Sequence, residues 1–173
     1  MPSKCVWLFS TNLAHIITNL KQSLDNITGV DLAFHSGSTW LESIERLDIL
    51  EDLAEAGVRL RILVNSPDAA ESVGQYMRHK IKKYMPFSEA IERWQAYAEM
   101  FETVEVRVSD IPFFRVYYAF TSKNEEDGAV RVKYYTYGNA KLDKNYSQNF
   151  EPRDNCYNLY KAEFEFLWDR AKP

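Results

Sequence analysis

Cysteine is scarce in this sequence. Its 173 residues hold two, Cys5 and Cys156, far apart and in no metal-ligand or redox spacing. A disulfide scaffold is thereby excluded, and two free thiols in a reducing compartment are expected. Glycine and proline number six each, too few for a collagen-like or low-complexity chain. Long apolar runs are missing as well. The one near the start, Cys5 to Phe9, is shorter than a signal-peptide core or a membrane span. A cytoplasmic chain with no membrane partner is expected on that ground. The two glycosylation sequons, at Asn26 and Asn145, then read as coincidence. Positive charge is not in excess: 21 Lys and Arg against 25 Asp and Glu leave a net −4. That gives no global pull toward nucleic acid or anionic lipid.

Signatures of familiar chemistry are missing too. His15, His35 and His79 stand alone, with no H-x-x-x-H or C-x-x-C company, so no metal site is expected. No G-x-G-x-x-G, phosphate-binding Walker loop or G-x-S-x-G occurs, and no cofactor is expected.

What is present is a folded α/β pattern. Aromatic residues make up 14% of the chain, which argues against disorder. Leu13, Ile16, Ile17, Leu20 and Leu24 form one helical stripe, and Val30–Phe34 reads as a buried strand. The spacing next predicts a helix from a Thr39-x-x-Glu42 capping box to Ala54, with Trp40, Ile44, Leu47 and Leu50 inward and Gly57 as its stop. Val58–Val64 is the clearest strand. Strand, helix, Gly and strand predict a right-handed βαβ crossover. Ser66 and Pro67 open a helix reaching about Tyr84, and another carries Ile91, Trp94, Ala98 and Phe101. Val104, Val106 and Val108 alternate as a half-buried strand. Phe113–Phe120 and Val130–Tyr137 read as an antiparallel hairpin. A polar loop over 138–155 precedes a last helix with Tyr157, Tyr160, Phe164, Leu167 and Trp168 on one side. The fold class is α/β: one domain, residues 1–173, with a mixed sheet flanked by helices.

Two places attract a functional reading. His35 lies at the carboxyl end of a predicted parallel strand, where ligands gather in open α/β sheets. Ser36, Gly37, Ser38 and Thr39 follow it with hydroxyls and the N–H groups of a helix start, which suit an anion. The same residues also suit a plain capping loop. On the hairpin, alternation puts Arg115 and Tyr117 on one face of their strand, and Arg131, Lys133, Tyr135 and Tyr137 on one face of the next. If those faces coincide, cations and rings meet, as phosphate and base binding require. An exposed sheet face is the plainer account. The basic run Arg78-His79-Lys80-Ile81-Lys82-Lys83 offers either a solvated helix face or a weak nucleic-acid patch. His15 lies opposite its helix's apolar stripe, as a solvated histidine would.

The order of elements, with Gly57-Val58-Arg59-Leu60-Arg61-Ile62-Leu63-Val64-Asn65, Val104-Glu105-Val106-Arg107 and Phe164-Glu165-Phe166-Leu167-Trp168, resembles one half-domain of the phospholipase D-like superfamily. The resemblance spans roughly residues 12–170. It implies a mixed-sheet α/β sandwich and, since active members pair two half-domains, a homodimer. Active members also carry H-x-K-x4-D, with histidine as the nucleophile on phosphorus. This sequence departs from that pattern: Ile17, Gly37 and Ile81 stand two residues after its histidines, and the matching stretch Ile111–Phe120 holds no histidine. No catalytic residue carries over.

Three functions are therefore expected in competition. The first is a catalytically degenerate domain binding a phosphorylated or nucleotide-like ligand as a sensor, through His35, Ser36, Gly37, Ser38, Thr39, Arg115, Tyr117, Lys133 and Tyr135. The second is a phosphodiesterase or nuclease with a rearranged site using His35. The third is a homodimeric protein-interaction module.

Overall fold

The structure is a computed structural model that describes residues 24–77, 85–134 and 147–173. The expected strand at Cys5–Ser10, the helix stripe from Leu13 to Leu20, His15, His79, the basic run after Met77, and Tyr135 all lie outside the described residues.

Six strands form one sheet: β1 (Ile27–Phe34), β2 (Arg59–Asn65), β3 (Val104–Ser109), β4 (Arg115–Ser122), β5 (Ala129–Tyr134) and β6 (Ser147–Phe150), in the order β3-β2-β1-β4-β5-β6. β1, β2 and β3 run parallel, and β4, β5 and β6 continue antiparallel from β1. The central strands read as nearly continuous apolar runs because both their faces are covered. The last strand falls inside the stretch expected as a polar loop.

The helices are α1 (Ser38–Leu41), α2 (Ile44–Glu55), α3 (Pro67–Met77), α4 (Phe87–Glu99) and α5 (Asn155–Arg170). On the first face of the sheet, Val30, Leu32, Phe34, Leu60, Ile62, Val64, Val104 and Val106 pack against Leu50 and Leu53 of α2 and Trp94 of α4. Gly57 closes α2 as expected. At φ 79° it turns the chain so that its own N–H donates to the Ala54 carbonyl (3.0 Å) and that of Val58 to the Leu53 carbonyl (3.0 Å). The parallel β1–α2–β2 arrangement follows the sequence reading.

The single helix expected from Thr39 to Ala54 is two helices. The capping box does not form: the residue before α1 is Gly37, with φ 68°, and no side chain caps the helix. Extended backbone at Ser43 then separates α1 from α2. This break lets Trp40 settle against Phe34 (5.7 Å between ring centroids) and Tyr118 (6.1 Å). It also rotates Ile44 out of the core to 77% exposure, against the inward position that helical spacing assigned it.

The second face carries Ala33, Leu63, Tyr117, Ala119, Val130 and Val132 beneath Tyr157, Phe164, Leu167 and Trp168 of α5. Alternation also puts Asp31 and Arg61 on this face, where neither is exposed. They form a bidentate pair, Arg61 Nε to Asp31 Oδ1 at 2.7 Å and Nη2 to Oδ2 at 2.9 Å. The same guanidinium donates to Glu165 of α5 at 2.8 and 2.6 Å, and lies over the rings of Phe164 (4.9 Å) and Trp168 (5.3 Å). Burial alone pulls Arg61 down, but its hydrogen bonds to Glu165 and Asp31 outweigh that and hold it firmly charged. α5 is thus seated by one arginine as well as by apolar contact.

The hydrogen bond from Arg61 also lowers the Glu165 carboxyl below its ordinary 4.5. A carboxylate depressed in the folded state contributes stability above its unfolded value and loses it as pH falls through the folded value. Wild type and Glu165→Gln are therefore expected to differ in stability at pH 6–7 and to converge as the pH drops below about 4.5. Urea titrations across that range read the difference directly. A gap that stays constant down to pH 3 contradicts the pairing.

Candidate functional site

At the carboxyl edge of the parallel strands, two pairs of polar residues lie on the second face, and His35 is tied to one of them. Ser109 of β3 pairs with Asn65 of β2. The Asn65 N–H donates to the carbonyl of His35, just past β1, at 2.9 Å. The β1–β4 pairing ends at Ala33–Tyr117, and two residues before Tyr117, Arg115 of β4 pairs with Tyr134 of β5. One layer below lie Leu63, Ala33, Tyr117 and Val132. The His35 ring stands edge-on to Phe113 at 6.5 Å, within the same apolar cluster as Tyr117.

The structure puts Arg115 and Tyr117 on one face, sets His35 beside Asn65 and Phe113, and separates Lys133 from Arg115. Lys133 pairs with Val116 and Arg131 with Tyr118, so both lie on the first face while Arg115 and Tyr117 lie on the second. The expectation that the two hairpin faces coincide fails because the hairpin register is offset by one residue. Tyr134, not Lys133, is the neighbour of Arg115.

Arg115 is half-buried. Its Nη1 lies 3.3 Å from Glu163 of α5, and its guanidinium sits over Tyr160 (5.6 Å) and Tyr134 (5.9 Å). The hydroxyls of those two tyrosines hydrogen-bond each other. The Tyr117 ring stacks on Phe164 at 5.1 Å, and burial pushes its phenol well above its ordinary range. Its hydroxyl is buried without a hydrogen-bond partner. Asn65 is wholly buried, and neither its Oδ1 nor its Nδ2 is hydrogen-bonded. Buried side-chain amides are nearly always satisfied, so this one is an exception.

The loop after His35 is held from the first face. The Trp94 indole N–H donates to the Ser36 carbonyl at 2.9 Å, and the Ser38 N–H to Ser36 Oγ at 3.3 Å. A Cβ on Gly37 would stand 2.7 Å from the Trp94 nitrogen, so the left-handed turn and the close approach both need glycine. Ser38 is buried, and Thr39 is exposed with its carbonyl taking a bond from Arg46. These contacts position His35. The helix that follows has four residues and offers no extended N-terminal cradle.

Sequence reasoning missed Asn65, Glu163, Tyr134 and Tyr160 as neighbours of the site. Asn65 had a signal: it continues the Arg61–Leu63 alternation of β2 onto the second face. Among the described residues, no cluster of His, Cys, Asp and Glu fit to hold a metal ion occurs, and no helix is long and apolar enough to cross a membrane.

Fold and site together define an α/β domain with a six-stranded mixed sheet between helices and polar residues at the carboxyl edge of its parallel strands. No protein-family model and no curated protein matches the chain. Among solved structures it is similar to TrmBL2, an archaeal chromatin protein with a novel mode of DNA binding, at 16% identity and a TM-score of 0.50. The match covers 95% of this chain and 55% of that one, so the chain spans about half the length of its structural neighbour. At that identity the likeness concerns the fold alone. It corrects the phospholipase D-like expectation. The architecture is shared with a chromatin protein, and no family model supports the assignment made from element order and short phrases. Two of those phrases fall on the parallel strands β2 and β3, and buried parallel strands recur in many α/β folds.

Proposed function

We propose that this chain is a non-catalytic binding domain that takes a phosphorylated or nucleotide-like small molecule at the carboxyl edge of β1 and β2 and acts as a sensor or regulator. The observation that carries this reading is Arg115 on the second face at the end of β4, beside the carboxyl edge where Asn65 is hydrogen-bonded to His35. Carboxyl edges of parallel strands are where open α/β sheets bind ligands, and an arginine is suited to bidentate phosphate recognition. Glu163 neutralises Arg115 until an anion displaces it. Calorimetric titration with adenosine 5′-monophosphate tests the site. Arg115→Ala is expected to weaken binding roughly 10–100-fold, the worth of a charged hydrogen bond, with the fold intact by circular dichroism. Equal affinity in the variant removes Arg115 from the site. In the hydrolytic alternative His35 acts as nucleophile or base, and a generic phosphodiester would turn over with wild type but not with His35→Ala.

A nucleic-acid partner is the second reading. TrmBL2 binds DNA, and here on the first face Arg46 lies over Trp40 (5.7 Å), Trp40 packs on Tyr118, and Arg131 pairs with Tyr118 across β4 and β5. Binding to duplex DNA that falls steeply with salt would support it. The net charge of −4 weighs against it. A homodimer would be supported by the exposed Leu159 and Phe166, seven residues apart on α5.

A further inference from the structure

β3 forms one side of the sheet, and its outer edge is closed at one point. After α5 the chain turns back, and Lys172 makes an antiparallel bridge with Val108. The Val108 N–H donates to the Lys172 carbonyl at 2.7 Å, and the Lys172 N–H to the Val108 carbonyl at 2.9 Å. The Lys172 ammonium pairs with Asp110, just past β3. This bridge shows which backbone groups of β3 face outward. The carbonyls of Thr103 and Ser109 accept from Leu60 of β2 and from Ser66 just past it, so the odd-numbered residues bond inward. Val104, Val106 and Val108 therefore turn their N–H and C=O groups away from β2. The Val104 N–H is taken by the Phe101 carbonyl. Val106, at the centre, has no outward backbone bond among the described residues. An open strand edge is a template for a further strand unless something blocks it.

The sequence of β3, Val-Glu-Val-Arg-Val-Ser, complements itself. Laid antiparallel across a second copy with Val106 opposite Val106, it sets Glu105 opposite Arg107 and Arg107 opposite Glu105. Opposite charges facing each other stabilise such a pair, and the two Val106 residues exchange both backbone bonds. The neighbouring registers with the same bonding parity oppose Glu105 to Glu105 or Arg107 to Arg107, so charge selects one register. The contact uses the same patch on both copies and closes as a two-fold dimer. Its outer pairs, Val104 opposite Val108, need the place that Lys172 holds. We infer that the outer edge of β3 is a pairing surface for a second copy of this chain, and that Lys172 seals it. The inference is independent of the ligand reading above.

Sedimentation equilibrium of the full chain tests it. Lys172→Pro removes the N–H that bonds Val108 and the ion pair with Asp110. It is expected to raise the self-association constant about 10-fold or more over wild type. Adding Glu105→Arg sets like charges against each other and is expected to reverse that gain. Adding Arg107→Glu as well restores opposite charges and is expected to restore the dimer. Should Lys172→Pro fold poorly, Asp110→Ala loosens the seal through its exposed ion pair alone and is expected to raise the constant about 2-fold. Hydrogen exchange locates the contact: the Val106 amide is expected to gain protection as the concentration of the released form rises. A constant that neither release variant changes overturns the inference. So does association that Glu105→Arg leaves intact, which assigns the contact to another surface such as the outer face of α5.

Discussion

Replacing Asp31 with alanine is expected to lower the unfolding free energy by about 3–5 kcal/mol, the range for breaking a buried ion pair from one side. Asp31 supplies two of the acceptors for Arg61, at 2.7 and 2.9 Å, in a position nearly closed to water. Its removal leaves the guanidinium with Glu165 alone, and that carboxylate is about half exposed. The loss falls on α5, because the same arginine lies under Phe164 and Trp168 and bonds Glu165. Removing both partners, as Asp31→Leu with Arg61→Met, is expected to cost less than Asp31→Ala, since no charge is then stranded in the core. Urea unfolding monitored by tryptophan fluorescence measures both. A double variant less stable than Asp31→Ala contradicts the assignment of the cost to the stranded arginine.

Trp94→Ala is the second large effect, about 3–5 kcal/mol, as for other fully buried large aromatics. The ring has no exposed surface, stacks on Phe34 at 5.9 Å and meets Tyr97 edge-on at 6.0 Å. Its indole N–H also ties down the Ser36 carbonyl. Trp94→Phe keeps most of the ring and removes that tie, so about 1–2 kcal/mol is expected from the orphaned carbonyl and the lost volume. If the loop after β1 positions His35 for a ligand, Trp94→Phe weakens ligand binding by more than its stability loss accounts for. Unchanged affinity in a folded Trp94→Phe contradicts that link between the α4 core and the site.

The parallel β1–α2–β2 unit, the Gly57 stop and the buried face of α5 were legible because each rests on local pattern: apolar period, a C-terminal glycine, helical spacing of aromatics. The split between α1 and α2 was not. It depends on Trp40 packing against Phe34 and against Tyr118, the latter distant in sequence. The site was half legible. His35 was singled out from its position at a strand end, and Arg115 from alternation along the hairpin strand; register confirms that Arg115 lies on the face of Tyr117. Lys133 was misplaced because hairpin register decides which side chains share a face, and one residue of offset reverses the answer. Asn65 was passed over, although the strand alternation already carried it onto the face of Arg61.

The central claim is that the carboxyl edge holds a small phosphorylated ligand. Native mass spectrometry of the full chain as purified from cells tests it most directly, alongside Arg115→Ala prepared in the same way. A retained adduct of nucleotide or sugar-phosphate mass on wild type, absent from the variant, is the predicted result, and its mass identifies the ligand. An adduct retained equally by both proteins, or wild type without one even after incubation with adenosine 5′-monophosphate, contradicts the claim.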